Sequence, residues 1–524
     1  MRMPAKPSQP LRAGLSGAFL ALATLSSGSA TAAAPDNSAR YIVAFVPGSG
    51  AAGRQAVGQA RGQLRHEVQG LDAVAADLPA QALKALQNNP HVLYIEVDEK
   101  RYPLGGASAS TGTPYATGQL VPYGIKMVQA DQLPDTLAAN RKVCIIDSGI
   151  NATHEDLAGN TMTGEYDSGT GWWYTDENHH GTHVAGTIAA INNSGIGVVG
   201  VNPNRQLKLH IVKVFNAAGW AYSSTLASAA NKCATAGANV ISMSLGGSRS
   251  NKTEQRAFDS LAAKGILSIA AAGNAGTTAL SYPAGYSSVV SVAAIDEAKQ
   301  WATFSQYNSA VEIAAPGVNV LSTVPMGAGL ASTLTVGATA YAPGGMDGSP
   351  KASASAPLAD FGLGGAVSTA MAGKVCLIQR GTYDFATKVL NCQNSGGVGA
   401  VVYNNAAGGF GGTLGTTVTA IPSVTASDTE GAAMKAQAGQ TASVAVSATN
   451  YAYYDGTSMA TPHVSAVAAL VWSYFPNCTG AQMRTSLNLS AEDLGAPGRD
   501  TKYGYGLVRA KAAYDRIAAQ GCGK

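Results

Sequence analysis

Ser458 follows the small residues Gly456 and Thr457 at the mouth of an apolar, helix-like run, in YDGTSMATPHVSAVAAL over residues 454–470, and is a candidate nucleophile. A serine hydroxyl attacks poorly unless a base takes its proton, and backbone N–H groups at a helix start can hold a developing oxyanion. That chemistry demands a base and a group to orient it. HHGTHVAGTIAA supplies His180, and KVCIIDSGI supplies Asp147 at the end of an apolar, strand-like run. His180 would serve as general base and then general acid, while Asp147 would orient the imidazole and stabilise its cation. His183, three residues on, is a rival that spacing alone does not exclude. Each residue also has an ordinary reading: serine is a common helix cap, and a strand-end aspartate often shapes a turn. Pro462 is tolerable on the expectation that it falls in the first helical turn, where no intrahelical donor is lost.

Along the chain the order is Asp, His, Ser, the subtilisin order, which differs from those of chymotrypsin and the α/β-hydrolases. On these three segments the chain resembles the subtilisin-like (subtilase) serine peptidases over most of residues 119–510, apart from one insertion. The resemblance implies a serine endopeptidase acting on proteins and peptides, with His180 catalytic and His183 structural. It implies that Asn274, in SIAAAGN, donates to the oxyanion together with the Ser458 N–H. SMSLGG and AAAGN resemble the two walls of the primary specificity pocket, which implies substrate contacts from Ser244, Leu245, Gly246, Ala271, Ala272 and Gly273. Such small residues leave room for a bulky side chain and expose backbone for strand-like pairing. Neither wall carries Asp or Glu, so a large apolar residue is expected before the scissile bond, with Ser281 narrowing the pocket base. INNSGIGVVG resembles the family's tight calcium loop. The implied ligands are the carbonyls of Ile191, Ile196 and Val198 and the side chains of Asn193, Asp156 and Gln119, a set close to the 6 to 8 oxygens calcium takes. Gly195 is one residue more than the commonest form of that loop, and no catalytic metal is implied.

Strand-like runs must position these groups. KVCIIDSG, LKLHIVKVF, NVISMSLGG, GILSIAAAGN and VVSVAAID alternate with helical stretches, which predicts an α/β fold with a parallel sheet and helices on both faces. Asp147 and Asn274 fall where strands end, where sites in open α/β sheets lie. Ahead of this, RYIVAFVP and HVLYIEVDE read as strands and residues 54–64 and 79–88 as short helices. This unit, residues 35–104, resembles the subtilase propeptide, a small α/β domain whose tail occupies the cleft as a product-like intramolecular inhibitor. If Leu104 fills the apolar pocket, self-cleavage should fall after it. A Gly/Ser/Thr/Ala-rich linker covers residues 105–118, and the catalytic domain is expected over 119–325 and 451–524. Between them lies a β-rich insertion, 326–450, in which VCLIQRG followed by GGVGAVVYNN resembles the protease-associated (PA) domain.

Composition narrows the class further. Charged residues make up only 12%, the net charge is +3 and no Lys/Arg block occurs, so nothing points to nucleic acid or an anionic membrane surface. Arg2, Lys6 and Arg12 precede an apolar run over residues 15–25, and Ala30-Thr31-Ala32 follows as a cleavage motif. This reads as a signal peptide over 1–32 and implies secretion, while the propeptide resemblance implies a zymogen; the run is too short and too interrupted for a membrane anchor. Six cysteines in an exported chain make disulfides the expectation. Closeness within a module suggests Cys376 with Cys392 and Cys478 with Cys522. Elimination leaves Cys144 with Cys233, although Cys144 also reads as a buried free thiol in a core strand.

Overall fold

The computed structural model describes residues 39–107, 118–193, 195–415 and 417–524. The leader expected over 1–32 and most of the linker lie outside the described residues. Seven parallel strands form the central sheet, in the order Val311–Pro316, Val289–Ile295, Leu267–Ala271, Val240–Met243, Lys142–Asp147, Lys208–Lys213, Thr161–Gly164. Side chains alternate across a strand. Val143 and Ile145 therefore enter the core shared with helices His180–Ala189 and Thr457–Tyr474, while Cys144 and Ile146 enter the opposite core, against helices Ser223–Thr235 and Lys252–Ala263. A strand covered on both faces has no polar side, and this is why these strands read as near-continuous apolar runs.

Helix Thr457–Tyr474 is buried from Thr457 through Ser473, as expected of a helix apolar all round. Pro462 is its sixth residue, beyond the first turn, which corrects the expectation from sequence. It lacks the N–H that would reach the Ser458 carbonyl four residues back, and the Ser244 hydroxyl donates to that carbonyl instead, at 2.8 Å. Three disulfides form: Cys144–Cys233 ties the central strand to helix Ser223–Thr235, and Cys376–Cys392 and Cys478–Cys522 close local loops.

The N-terminal unit is an antiparallel sheet, ordered Gln63–Glu67, Ala73–Leu78, Ala39–Phe45, Val92–Val97, with helices Gly50–Gln59 and Ala80–Gln87. The first helix ends five residues earlier than residues 54–64 suggest. Arg61 takes a positive φ of 62°, and a Cβ on Gly62 would lie 2.6 Å from Leu78 and 2.8 Å from Val57, so the chain turns there into a strand. Ile42, Ala44, Val68 and Ala73 pack on Ala227 and Ala257 of two catalytic-domain helices. Carboxylates cap both of those helices. Asp98 accepts from Ser224 N at 2.9 Å and from the Ser223 and Ser224 hydroxyls at 3.0 and 2.6 Å; Glu96 accepts from Lys252 N and Thr253 N, both at 2.8 Å. Negative charge at a helix N-terminus satisfies orphan N–H groups and complements the macrodipole.

The insertion carries its own seven-stranded mixed sheet, from Gly329–Val336 to Thr441–Thr449, with helices Phe385–Asn394 and Asp428–Lys435. Among the described residues no helix is long and apolar enough to cross a membrane. Asp98→Ala should remove a cap worth about 1 kcal/mol, close to a factor of five. Amide exchange at Ser224 is expected to quicken by about that factor, and unchanged protection there would refute the cap.

Candidate active site

Asp147 ends its strand fully buried, and its Oδ1 lies 2.8 Å from His180 Nδ1 and accepts from Ser148 N at 2.8 Å. His180 opens helix His180–Ala189 and is held there from below. Asp176 Oδ2 accepts from Thr182 N at 2.9 Å and Thr182 Oγ1 at 2.6 Å; its Oδ1 accepts from His179 N at 2.8 Å and Ser148 Oγ at 2.8 Å. Burial works against the imidazolium, but the charge and hydrogen bond of Asp147, with the charge of Asp176, hold the His180 pKa above its usual value. Nε2 of His180 is buried and has no hydrogen-bond partner among the described residues. His183 points elsewhere. Its Nε2 meets the Val320 and Ala452 carbonyls at 3.0 and 3.1 Å, its ring stacks on Tyr454 at 4.3 Å, and burial with the nearby His180 charge lowers its pKa to about 3.

Ser458 Oγ donates to the Ser244 carbonyl at 2.8 Å. Its N–H donates to the Leu104 carbonyl oxygen at 3.0 Å. Leu104 ends an extended segment whose strand Lys100–Pro103 pairs antiparallel with Leu245–Gly246 on one side and Ala221–Tyr222 on the other. Leu104 N donates to Ser244 O at 3.1 Å, and beyond Gly105 the residues Gly106–Ala107 pair with Asp455 and Tyr454. The peptide thus crosses the Ser458 position with ladder bonds before and after it. Asn274 Oδ1 accepts from Thr457 N at 2.9 Å and Thr457 Oγ1 at 2.7 Å, which fixes the amide. A Cβ on Gly456 would lie 2.5 Å from Leu104 O and 3.0 Å from Asn274 Nδ2, so the carbonyl and the amide share one small space that only glycine leaves open.

The Leu104 side chain lines a cleft of about 890 Å³ together with Gly246, Ala279, Leu280, Ser281 and Gln306. A Cβ on Gly246 would meet Leu104 Cδ1 at 2.8 Å. Ser244, Leu245 and Gly246 therefore contact the segment directly. Ala271 and Ala272 are buried at the end of their strand and lead into Gly273, whose φ of 113° and lack of a side chain admit the Gln306 amide.

The Subtilase family matches residues 138–364 and 391–506, and the PA domain family matches 335–434. The chain belongs to the subtilase family. It is 38% identical over 269 residues to an alkaline protease of Alkalihalobacillus alcalophilus, covering 50% of this chain and 65% of that protein. Against subtilisin E of Bacillus subtilis (strain 168) it is 36% identical over 298 residues, 55% of this chain and 74% of that one. Among solved structures it resembles the psychrophilic subtilisin-like protease Apa1 from the Antarctic psychrotroph Pseudoalteromonas sp. AS-11, with a TM-score of 0.61 and 44% identity over 77% of this chain and 99% of Apa1. Fervidolysin from Fervidobacterium pennivorans, at 23% identity and a TM-score of 0.59, shares the fold over 92% of this chain and 61% of its own.

In this subtilase the loop expected to hold calcium gathers oxygens around one point. Gln119 Nε2 lies 2.8 Å from Ile191 O, 3.2 Å from Asn193 Oδ1 and 3.3 Å from Val198 O. The two ends of a Gln amide are interchangeable by a flip, and turning Oε1 inward would make a fourth oxygen donor, so the chemistry of the set suits a hard cation while supplying four of the roughly 6 to 8 oxygens calcium takes. Asp156 stands one layer behind, accepting from Asn193 Nδ2 at 2.6 Å and Val198 N at 2.7 Å. Ile196 contributes a longer bond, its N–H to Asn193 Oδ1 at 3.4 Å. Asp176, which holds the start of the His180 helix, and Gln306, which packs on Gly273, have no motif that singles them out in sequence.

The geometry separates the two histidines by titration. In a Ser458→Ala chain, imidazole NMR should give His180 a pKa above 6.5, while His183 stays neutral down to about 3. Equal pKa values would sink the separation.

Proposed function

We propose that this chain is the precursor of a secreted serine endopeptidase that cuts its own Leu104–Gly105 bond and afterwards cleaves proteins after large apolar residues. One observation carries the reading: the Leu104 carbonyl accepts from Ser458 N at 3.0 Å while the chain on both sides is held as a strand. That is the pose of a substrate poised for acyl transfer. The rest follows from the side chains. Ser458 Oγ turns from the Ser244 carbonyl towards His180 Nε2, which takes its proton as Oγ bonds to the Leu104 carbonyl carbon. Negative charge moves onto the Leu104 oxygen, where the Ser458 N–H and Asn274 Nδ2 receive it. His180 then protonates the Gly105 nitrogen as the peptide bond breaks, leaving an ester between Ser458 and Leu104, and water repeats the sequence to free the Leu104 carboxylate. Asp147 accepts from His180 Nδ1 throughout and stabilises the cation without becoming protonated. Loss of an oxyanion donor such as Asn274 costs about 10² to 10³ in turnover, a magnitude known from subtilisin's own asparagine.

After cleavage the caps from Glu96 and Asp98 and the ladder along Lys100–Pro103 remain, so the N-terminal unit persists as a non-covalently bound inhibitor until it is degraded. Trimming within the linker would then carry the N-terminus towards Gly118. Ile191, Asn193, Val198 and a flipped Gln119 would hold a structural calcium, which pins the segment after residue 118 to the loop that follows the His180 helix.

Two experiments test this reading. Ser458→Ala and His180→Ala should each leave the precursor whole and block fluorophosphonate labelling, and early-processed wild-type protein should begin at Gly105. Casein digestion by the Ser458→Ala protein, or a first cut well before Pro103, would overturn it. Separately, chelation should lower the unfolding midpoint with little immediate change in turnover, since a ligand at 100 times its Kd adds about 2.7 kcal/mol. A midpoint indifferent to excess EDTA would remove the calcium from the account.

A further inference from the structure

Arg101 is the fourth residue before the Leu104–Gly105 bond, and it has no solvent exposure at all. In the extended segment its neighbours Lys100 and Tyr102 point to solvent, while Arg101 points inward beside helix Lys252–Ala263. There it meets Glu254, also fully buried, in a two-pronged pair: Nε to Oε1 at 2.9 Å and Nη2 to Oε2 at 2.5 Å. Nη2 also donates to the Arg249 carbonyl at 3.1 Å, and Nη1 to the Lys100 carbonyl at 3.1 Å. Tyr286 Oη donates to Glu254 Oε2 at 2.7 Å, and Asn251 Oδ1 receives the Glu254 N–H at 3.0 Å, so the carboxylate is aimed and held from its own domain. Room for the guanidinium comes from Gly247, where a Cβ would sit 2.9 Å from Arg101 Nη1.

Among the described residues Glu254 forms no other ion pair. When the N-terminal unit leaves, a carboxylate with an empty cationic place beside it remains in the cleft wall. A buried charge that loses its partner is strongly disfavoured, and a planar fork of donors answers a carboxylate better than an ammonium does. Arg101 reaches Glu254 only because backbone pairing with Leu245–Gly246 and Ala221–Tyr222 places it there, and any substrate strand would use the same pairing. The caps made by Glu96 and Asp98, by contrast, lie outside the segment that a short substrate would occupy.

We propose that Glu254 makes this subsite a receptor for arginine, so that the mature enzyme selects arginine at the fourth position before the scissile bond in addition to a large apolar residue at the bond itself. The proposal rests on the peptidase reading above and names a second determinant of its substrate class: peptides of the pattern Arg-Xaa-Xaa-Leu.

Anilide substrates ending in Xaa-Tyr-Pro-Leu, with Arg, Lys, Gln or Leu at the first place, test it on the mature enzyme. Arginine should exceed glutamine and leucine in kcat/KM by at least about tenfold, with lysine between, as expected for a charge-assisted pair. In Glu254→Gln the advantage of arginine should vanish. The substrate series needs no variant, so it stands even where Glu254→Gln does not fold. Casein digestion run alongside separates the two readings: an enzyme that digests casein yet treats Arg, Gln and Leu alike loses this inference and keeps the peptidase function. A second measurement is independent of turnover. A fluorescent product peptide, Asp-Glu-Lys-Arg-Tyr-Pro-Leu with a free carboxylate, should bind at least about tenfold more tightly than its Arg→Gln counterpart by anisotropy. Equal affinities, or no binding by either peptide, would overturn the inference whatever the hydrolysis assays give.

Discussion

Because the strand Lys142–Asp147 is enclosed on both faces, Asp147 reaches the end of the sheet already stripped of water, and much of the site is arranged around that fact. A buried carboxylate is costly unless hydrogen bonds and opposite charge answer it. The Ser148 N–H and the His180 ring both answer it at Oδ1, while Oδ2 has no hydrogen-bond partner among the described residues. What the fold supplies to the imidazole is thus a fixed tautomer, a fixed ring plane and a preference for the cation. Asp176 extends the same logic one layer down. Burial raises its pKa, the Thr182 and Ser148 hydrogen bonds oppose that rise, and its two oxygens gather the start of the helix that carries His180.

Ser458 is placed by an exchange of backbone groups between a helix and a strand end. Pro462 leaves the Ser458 carbonyl without its helical donor; the Ser244 hydroxyl takes that acceptor, and the Ser458 hydroxyl in turn donates to the Ser244 carbonyl. Ser244 also receives the Leu104 N–H. One residue therefore registers the Ser458 side chain, its helix and the Leu104 segment together. With the Leu104 carbonyl against the Ser458 N–H, little is left to organise besides rotation of one hydroxyl.

Residue types with scarce alternatives were legible in sequence. Asp147, His180 and Ser458 stand out as candidates because their three segments occur together and in one order, and two disulfides, Cys376–Cys392 and Cys478–Cys522, follow from closeness within a module, whereas Cys144–Cys233 was reached only by elimination. The parallel sheet was legible because burial on both faces writes itself as apolar runs. Features that depend on a distant partner were not. Glu254 is an ordinary first-turn glutamate until Arg101, 153 positions earlier, arrives beside it. Gln306 means nothing until Gly273 opens space for it, and the strand Ala73–Leu78 hides in an alanine-rich run whose only β-branched residue is Val74. Pro462 misled for a related reason: its tolerance comes from a hydroxyl more than two hundred residues away, not from its place in the helix.

The insertion illustrates how a large addition can sit beside this site without disturbing it. The strands that lead into and out of it, Val320–Thr323 and Tyr451–Asp455, pair antiparallel from Val320 with Tyr454 to Thr323 with Tyr451. The extra sheet therefore grows from the open end of a closed hairpin, and lengthening such a loop adds only about 0.6 kcal/mol of closure entropy per doubling. The returning strand has a second edge, which receives Gly106 and Ala107 just beyond the proposed scissile bond, and its Tyr454 supports His183 from one face. A single strand thus ends the inserted domain, pairs with Gly106 and Ala107 and runs directly into Gly456 and the helix that carries Ser458.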